Sequence, residues 1–216
     1  MTKSGLQPGY DPACRDCPRL AGFLDGVRRE HPGYHARPVA PFGPKRAGLL
    51  VVGLAPGMHG ANRTGRPFTG DHAGILLYRT LHEFGFASAA GSADPGDGLE
   101  LIGCRVTNAV KCLPPQNKPQ PDEVRRCNRH LAAEIAAVRP RAILALGAIA
   151  HRAVLMAFGL APSRHAFAHH AVHALAGVTL FDSYHCSRYN TQTKRLTGEM
   201  FEAVVRDIAN FLRGAR

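Results

Sequence analysis

Four of the six cysteines in this sequence have a spacing that suggests metal chemistry. Cys14 and Cys17 form a C-x-x-C, which lets one short loop grip a metal with two thiolates. Cys112 begins a Pro-rich stretch, and Cys127 follows fifteen positions later. Four thiolates gathered from two parts of a chain suit either zinc or a 4Fe–4S cube, and spacing leaves the two open. A thioredoxin-like redox pair is the alternative. It fits poorly, because such a pair opens a helix after a strand and Cys14 lies in a strandless, Pro-rich segment. Cys104 falls inside an apolar run and Cys186 beside a polar loop, so both read as non-ligands.

Three further segments concentrate groups able to bind or polarise a ligand. The first, GLAPGMHGANRTGRPFTGD, runs from Gly53 to Asp71 and carries an aromatic ring at Phe68 and a carboxylate at Asp71. The second, TNAVKCLPP, runs from Thr107 to Pro115, and Asn108 offers one amide donor and one acceptor. The third, SYHCSRYN, runs from Ser183 to Asn190 and holds the imidazole of His185. Each group also has a purely structural reading: Phe68 as a loop anchor, Asn108 as a strand-end cap, Asp71 as the N-cap of a helix. The Gly-rich segment lacks the Gly-Lys-Ser/Thr ending of a P-loop, which weakens a nucleotide-binding reading. His165, His169, His170 and His173 crowd one stretch at spacings that could hold metal, but no carboxylate accompanies them. They read as an exposed loop rather than a metal site.

These segments need a scaffold that holds them together. Residues 48–53, 104–110, 142–146 and 178–182 are short and rich in Val, Ile and Leu, as strands covered on both faces should be. Helical patterns occupy 75–84, 122–138, 148–158 and 199–212, with Ile75, Leu76, Leu77, Leu81 and Phe84 expected mostly on one apolar stripe. Strands separated by helix-length segments imply right-handed crossovers and a parallel sheet. The three chemical segments then all follow the carboxyl end of a strand, where such sheets bind ligands. Residues 87–98 read as a plain surface loop.

Composition narrows the classes. The 216 residues, 45% apolar and 20% charged, can bury a sizeable core as a single domain over 1–216 with an N-terminal cysteine-bearing segment. Lys and Arg number 27 against 16 Asp and Glu, a net charge of +11 that favours a polyanionic partner, nucleic acid above all. No apolar run spans a membrane, and Met1 to Gly5 lacks a signal-peptide layout. The expected setting is cytoplasmic and nucleoid-associated, where thiols stay reduced.

In their order, and with the four cysteines around them, the three segments closely resemble the family 5 (type b) uracil-DNA glycosylases, from about Cys14 to Met200. The resemblance implies a three-layer α/β/α sandwich on a central four-stranded parallel sheet. It also implies a structural 4Fe–4S cluster on Cys14, Cys17, Cys112 and Cys127. The implied activity is monofunctional removal of uracil, and of hypoxanthine and xanthine, from double- and single-stranded DNA by a monomer. Gly53, Leu54, Ala55, Gly57, Phe68, Asn108 and His185 would hold the extruded base. Asn108 would read its edge, His185 would donate to its carbonyl oxygen, and Asp71 would steady the cationic sugar or orient water. Arg188, Tyr189 and Asn190 would contact the duplex. Two departures matter. Leu54 stands where family 4 carries an acidic residue, which implies a pocket less strictly tuned to uracil, and Cys186 stands where many sister sequences carry proline. A non-catalytic iron–sulfur nucleic-acid-binding protein of the same fold is the alternative.

Overall fold

A computed structural model describes residues 9–214, so the expectation for Met1 to Gly5 lies outside the described residues. Four strands run parallel: β1 (Leu49–Gly53), β2 (Cys104–Asn108), β3 (Ala142–Leu146) and, after one further strand, β5 (Val178–Ser183). The further strand, β4 (Val172–Leu175), pairs antiparallel with β5 through a tight turn at Gly177. The sheet order is β2-β1-β3-β5-β4. The expected four-stranded sheet therefore gains an antiparallel edge strand, which corrects the reading of residues 165–173 as loop throughout. Residues 172–175 alternate between exposed and half-buried and include a histidine, so no apolar run marked them.

The three layers follow from alternation along the strands. Leu49 and Val51 of β1 and Ala142, Leu144 and Leu146 of β3 face one core. Leu50, Val52, Ile143 and Ala145 face the other. Helices α3 (His72–Glu83) and α7 (Gly198–Gly214) cover the first face with Leu77, Leu81, Phe201, Val204 and Ile208. Helices α4 (Pro121–Val138) and α5 (Ala148–Ala157), with Leu20 of α1 (Pro18–Glu30), cover the second. Two short helices, α2 (Ala61–Thr64) and α6 (Arg188–Gln192), sit in the loops after β1 and β5. Ile75, expected in the apolar stripe of α3, is 65% exposed, because the apolar face of that helix turns Leu76 and Leu77 inward instead. Among the described residues no helix is long and apolar enough to cross a membrane.

Two polar networks stiffen the loops. Arg66, almost wholly buried, bonds Thr69 Oγ1 (2.8 Å), Ser92 Oγ (2.7 Å) and Asp97 Oδ2 (2.6 Å). The segment 87–98, expected as a plain surface loop, is thus pinned to the Gly-rich segment. Beneath β2, Glu134 of α4 is 1% exposed and pairs with Arg105 (3.0 Å) and Lys111 (3.0 Å), while Thr107 Oγ1 donates to it at 2.9 Å. Removing the shared anion leaves two cations in a dry site. Glu134→Gln is expected to lower stability by roughly 3–5 kcal/mol, measured by urea unfolding. A change under about 1 kcal/mol would mean that the cations find other partners, as is typical of exposed pairs.

Candidate active site

Parallel register brings the first two chemical segments together. Gly53, the last residue of β1, lies directly beside Asn108, the last residue of β2. A Cβ at position 53 would stand 2.5 Å from Asn108 Oδ1 and 2.5 Å from Phe68 Cζ, so only glycine admits both side chains. Phe68 holds a left-handed backbone (φ +54°), and its buried ring lies 6.0 Å from that of His185, tilted by 30°. His185 follows β5 and sits over Gly147, with its Cβ 3.5 Å from where a Cβ of that glycine would be. Burial alone lowers its pKa to about 4, so the imidazole is neutral at ordinary pH and keeps one N–H to donate.

The resulting cavity, about 380 Å³, is lined by Leu54, Ala55, Phe68, Asp71, Asn108 and His185 among others. Asn108 is buried, and its Oδ1 meets no hydrogen-bond partner among the described residues. A buried acceptor left alone costs about 1–3 kcal/mol. Asp71 combines its two readings. One oxygen, Oδ1, caps α3 by accepting from Gly74 N–H (2.9 Å). The other, Oδ2, faces the loop of Gly57 and Gly60, where a Cβ on Gly60 would stand 2.6 Å from it. Burial raises the carboxyl pKa, partly offset by the backbone N–H groups of Gly74 and Ala73.

The third segment is helical where a loop was expected. Ser187 caps α6 by accepting from Asn190 N–H (3.4 Å). Arg188 is exposed at the cavity rim and Tyr189 is 71% exposed. Asn190, grouped with the duplex contacts in the sequence, turns inward, and its amide donates to the His185 carbonyl at 2.8 Å. It thereby orients the histidine loop. His72, Asn117 and Ser187 also line the cavity and were missed. His72 Nε2 meets Thr191 Oγ1 at 2.9 Å and ties α3 to α6. Asn117 has φ +56°, a conformation that asparagine tolerates better than most residues and the single sequence-level hint.

Cys14, Cys17, Cys112 and Cys127 converge on one pocket at the start of α1. None forms a disulfide, and Lys111 N–H donates to Cys127 Sγ at 3.3 Å. Such N–H···S contacts suit a thiolate that carries a metal. Cys104 and Cys186 are fully buried in the opposite core and line no part of that pocket.

This arrangement can be set beside known proteins. The family model of the uracil DNA glycosylase superfamily matches residues 40–209. The chain belongs to the uracil-DNA glycosylase superfamily. A type-5 uracil-DNA glycosylase of Thermus thermophilus is 50% identical over 89% of this chain and 91% of its own length. Those of Pyrobaculum aerophilum and Mycobacterium bovis are 44% and 43% identical over 91% and 90% of this chain, and over 88% and 76% of their own lengths. Within this family framework, the Gly53 contact is the tightest steric test of the pocket. Gly53→Ala is expected to lower single-turnover base excision at least about a hundredfold with the far-UV spectrum unchanged. Near-normal excision would show that Phe68 and Asn108 can move aside without loss.

Proposed function

We propose that this protein is a monofunctional DNA glycosylase that removes uracil, and with it hypoxanthine and xanthine, from DNA. The carrying observation is the unpartnered Oδ1 of Asn108 in a cavity shared with Asp71 and His185. Deamination of cytosine, adenine or guanine creates a ring N–H beside a carbonyl. The Asn108 amide, which carries both an acceptor and a donor, can accept that N–H, whereas an undamaged cytosine or adenine offers a bare ring nitrogen there. Leu54 adds apolar lining in place of a further polar contact, which suits a pocket open to several lactam edges.

The reaction follows from the same three groups. The base leaves the stack and enters beside Phe68, whose ring supplies an apolar wall. As the glycosidic bond lengthens, negative charge gathers on the base and positive charge on the sugar. Neutral His185 donates its N–H to the base carbonyl oxygen, and charge-assisted bonds of this kind strengthen as the charge develops. Asp71, ionised, stabilises the oxocarbenium-like sugar and holds water for attack on it. Among the described residues no lysine lines the cavity, in keeping with water as the nucleophile and an abasic site as product. The net charge of +11 and the exposed Arg188 and Tyr189 favour binding to the phosphate backbone and wedging at the flipped nucleotide.

The four cysteines are assigned to a structural 4Fe–4S cluster, favoured over zinc by the family resemblance and consistent with the convergence of their thiols. When bound, the cluster would supply a covalent tie between the N-terminal segment, α4 and the loop after β2. That loop carries Cys112 and, five residues on, the cavity-lining Asn117. Anaerobically purified protein is expected to contain about four irons per chain and to absorb in the blue. A colourless protein with one zinc would overturn this assignment.

The catalytic assignment separates into three demands. Asp71→Asn should slow excision of all three bases alike. His185→Ala should hurt every substrate through leaving-group stabilisation, and Asn108→Ala should change the preference among bases. Each loss should be about 2.7–4 kcal/mol, roughly a hundredfold or more in single-turnover rate. Unchanged rates in Asp71→Asn would reduce Asp71 to a helix cap. Lack of excision by the unmodified protein on all three duplexes would favour the non-catalytic DNA-binding alternative.

A further inference from the structure

His151, His173 and Asp182 meet on the same face of the sheet as the cysteines, at the β5-β4 edge. They come from three elements: α5, the edge strand β4, and β5. Asp182 is fully buried, His151 is 1% exposed and the His173 side chain 13% exposed. His151 Nδ1 lies 2.8 Å from Asp182 Oδ1, and His173 Nε2 lies 3.0 Å from Asp182 Oδ2. One donor atom from each residue lies within 4.8 Å of the other two. β5 thus brings a carboxylate to His173, where the sequence showed none accompanying the histidine stretch.

We propose that His151, His173 and Asp182 form a binding site for a divalent borderline cation such as zinc. His151 Nε2 faces the His165 carbonyl at 2.9 Å. Donation there is the outer-shell pattern of metal-bound histidines, and a cation would displace the proton that joins Nδ1 to Asp182 Oδ1. Two imidazoles and one carboxylate suit zinc, cobalt or nickel better than calcium or magnesium, which prefer all-oxygen shells. Three ligands leave one tetrahedral position for water or a fourth side chain. His165 stands edge-on to His173 with ring centroids 5.6 Å apart. Phe167 packs edge-on against His151, centroids 5.6 Å apart, and shields the site. A cation here would clamp the last turn of β5 to α5 and to β4, three residues before His185. The role is structural, and it is independent of the glycosylase reading.

The test uses tag-free protein with its cysteine site as isolated, titrated with cobalt and with zinc. One equivalent of cobalt should bind with visible d–d bands and no thiolate-to-cobalt charge transfer, which marks nitrogen and oxygen ligands. Zinc at about a hundredfold excess over its dissociation constant should raise the melting midpoint by roughly 5 °C. His173→Ala should lose both effects. His173→Gln should lose them too, while keeping an N–H for Asp182 and hence the fold. His170→Ala should keep both, because His170 pairs with Asp207 on the surface (2.8 Å) and lies outside the triad. The site is overturned if wild-type protein binds neither ion, if thiolate charge-transfer bands appear, or if His170→Ala rather than the His173 variants loses binding.

Discussion

At the carboxyl end of β1 the chain approaches two side chains so closely that a single methyl group would not fit. Gly53 lies between the Phe68 ring and the Asn108 amide, each 2.5 Å from where a Cβ would be. Everything in the cavity follows from that contact. Without it the ring of Phe68 could not lie across the strand end toward His185, and Asn108 could not pack its amide against the end of β1. The left-handed φ at Phe68 is the local strain that this packing sustains. Gly60 repeats the logic one turn later: a Cβ there would stand 2.4 Å from Asp71 Cβ. The glycines of this loop are therefore gaps into which functional side chains fit.

The cavity walls depend on buried polar connections away from the chemistry. Glu134 joins Arg105 and Lys111 under β2, and Lys111 then presents its N–H to Cys127. One run of residues, Thr107 to Asn117, thus contributes to the ionic network, the cysteine pocket and the base cavity. Disturbance at any of these would reach the others through a short, Pro-rich backbone with little freedom to absorb it. On the opposite rim, Arg66 fastens segment 87–98 to the Gly-rich loop, and Asn190 fixes the His185 carbonyl. Donors aimed at developing charge must be rigid before the charge appears, and these contacts supply that rigidity.

Much of this was legible in residue order. The four parallel strands lie within a few residues of where apolar runs placed them, because strands buried on both faces need continuous apolar sequence. The positions of Asn108 and His185 at strand ends followed from the same runs, and the family membership followed from three ordered segments. Other features left no local trace. β4 is an edge strand with an alternating, half-polar pattern, so nothing apolar announced it. Ile75 was counted into an apolar stripe, yet the helix rotates it outward. The bond from the Asn190 amide to the His185 carbonyl likewise left no trace in residue order.

Sequence by itself determined the layer order, the parallel sheet, the edge at which ligands bind and the residue types available there. Those depend on hydrophobic periodicity and chain connectivity, which are local or nearly so. Tertiary structure alone decided which distant residues meet. Asp182 sits in an apolar strand and became the partner of His151 and His173 only through strand pairing and the packing of α5. Asn108 became an unpartnered acceptor only because the fold removed water and offered no donor in its place. Burial and juxtaposition are properties of the whole packed chain, and no window of residues encodes them.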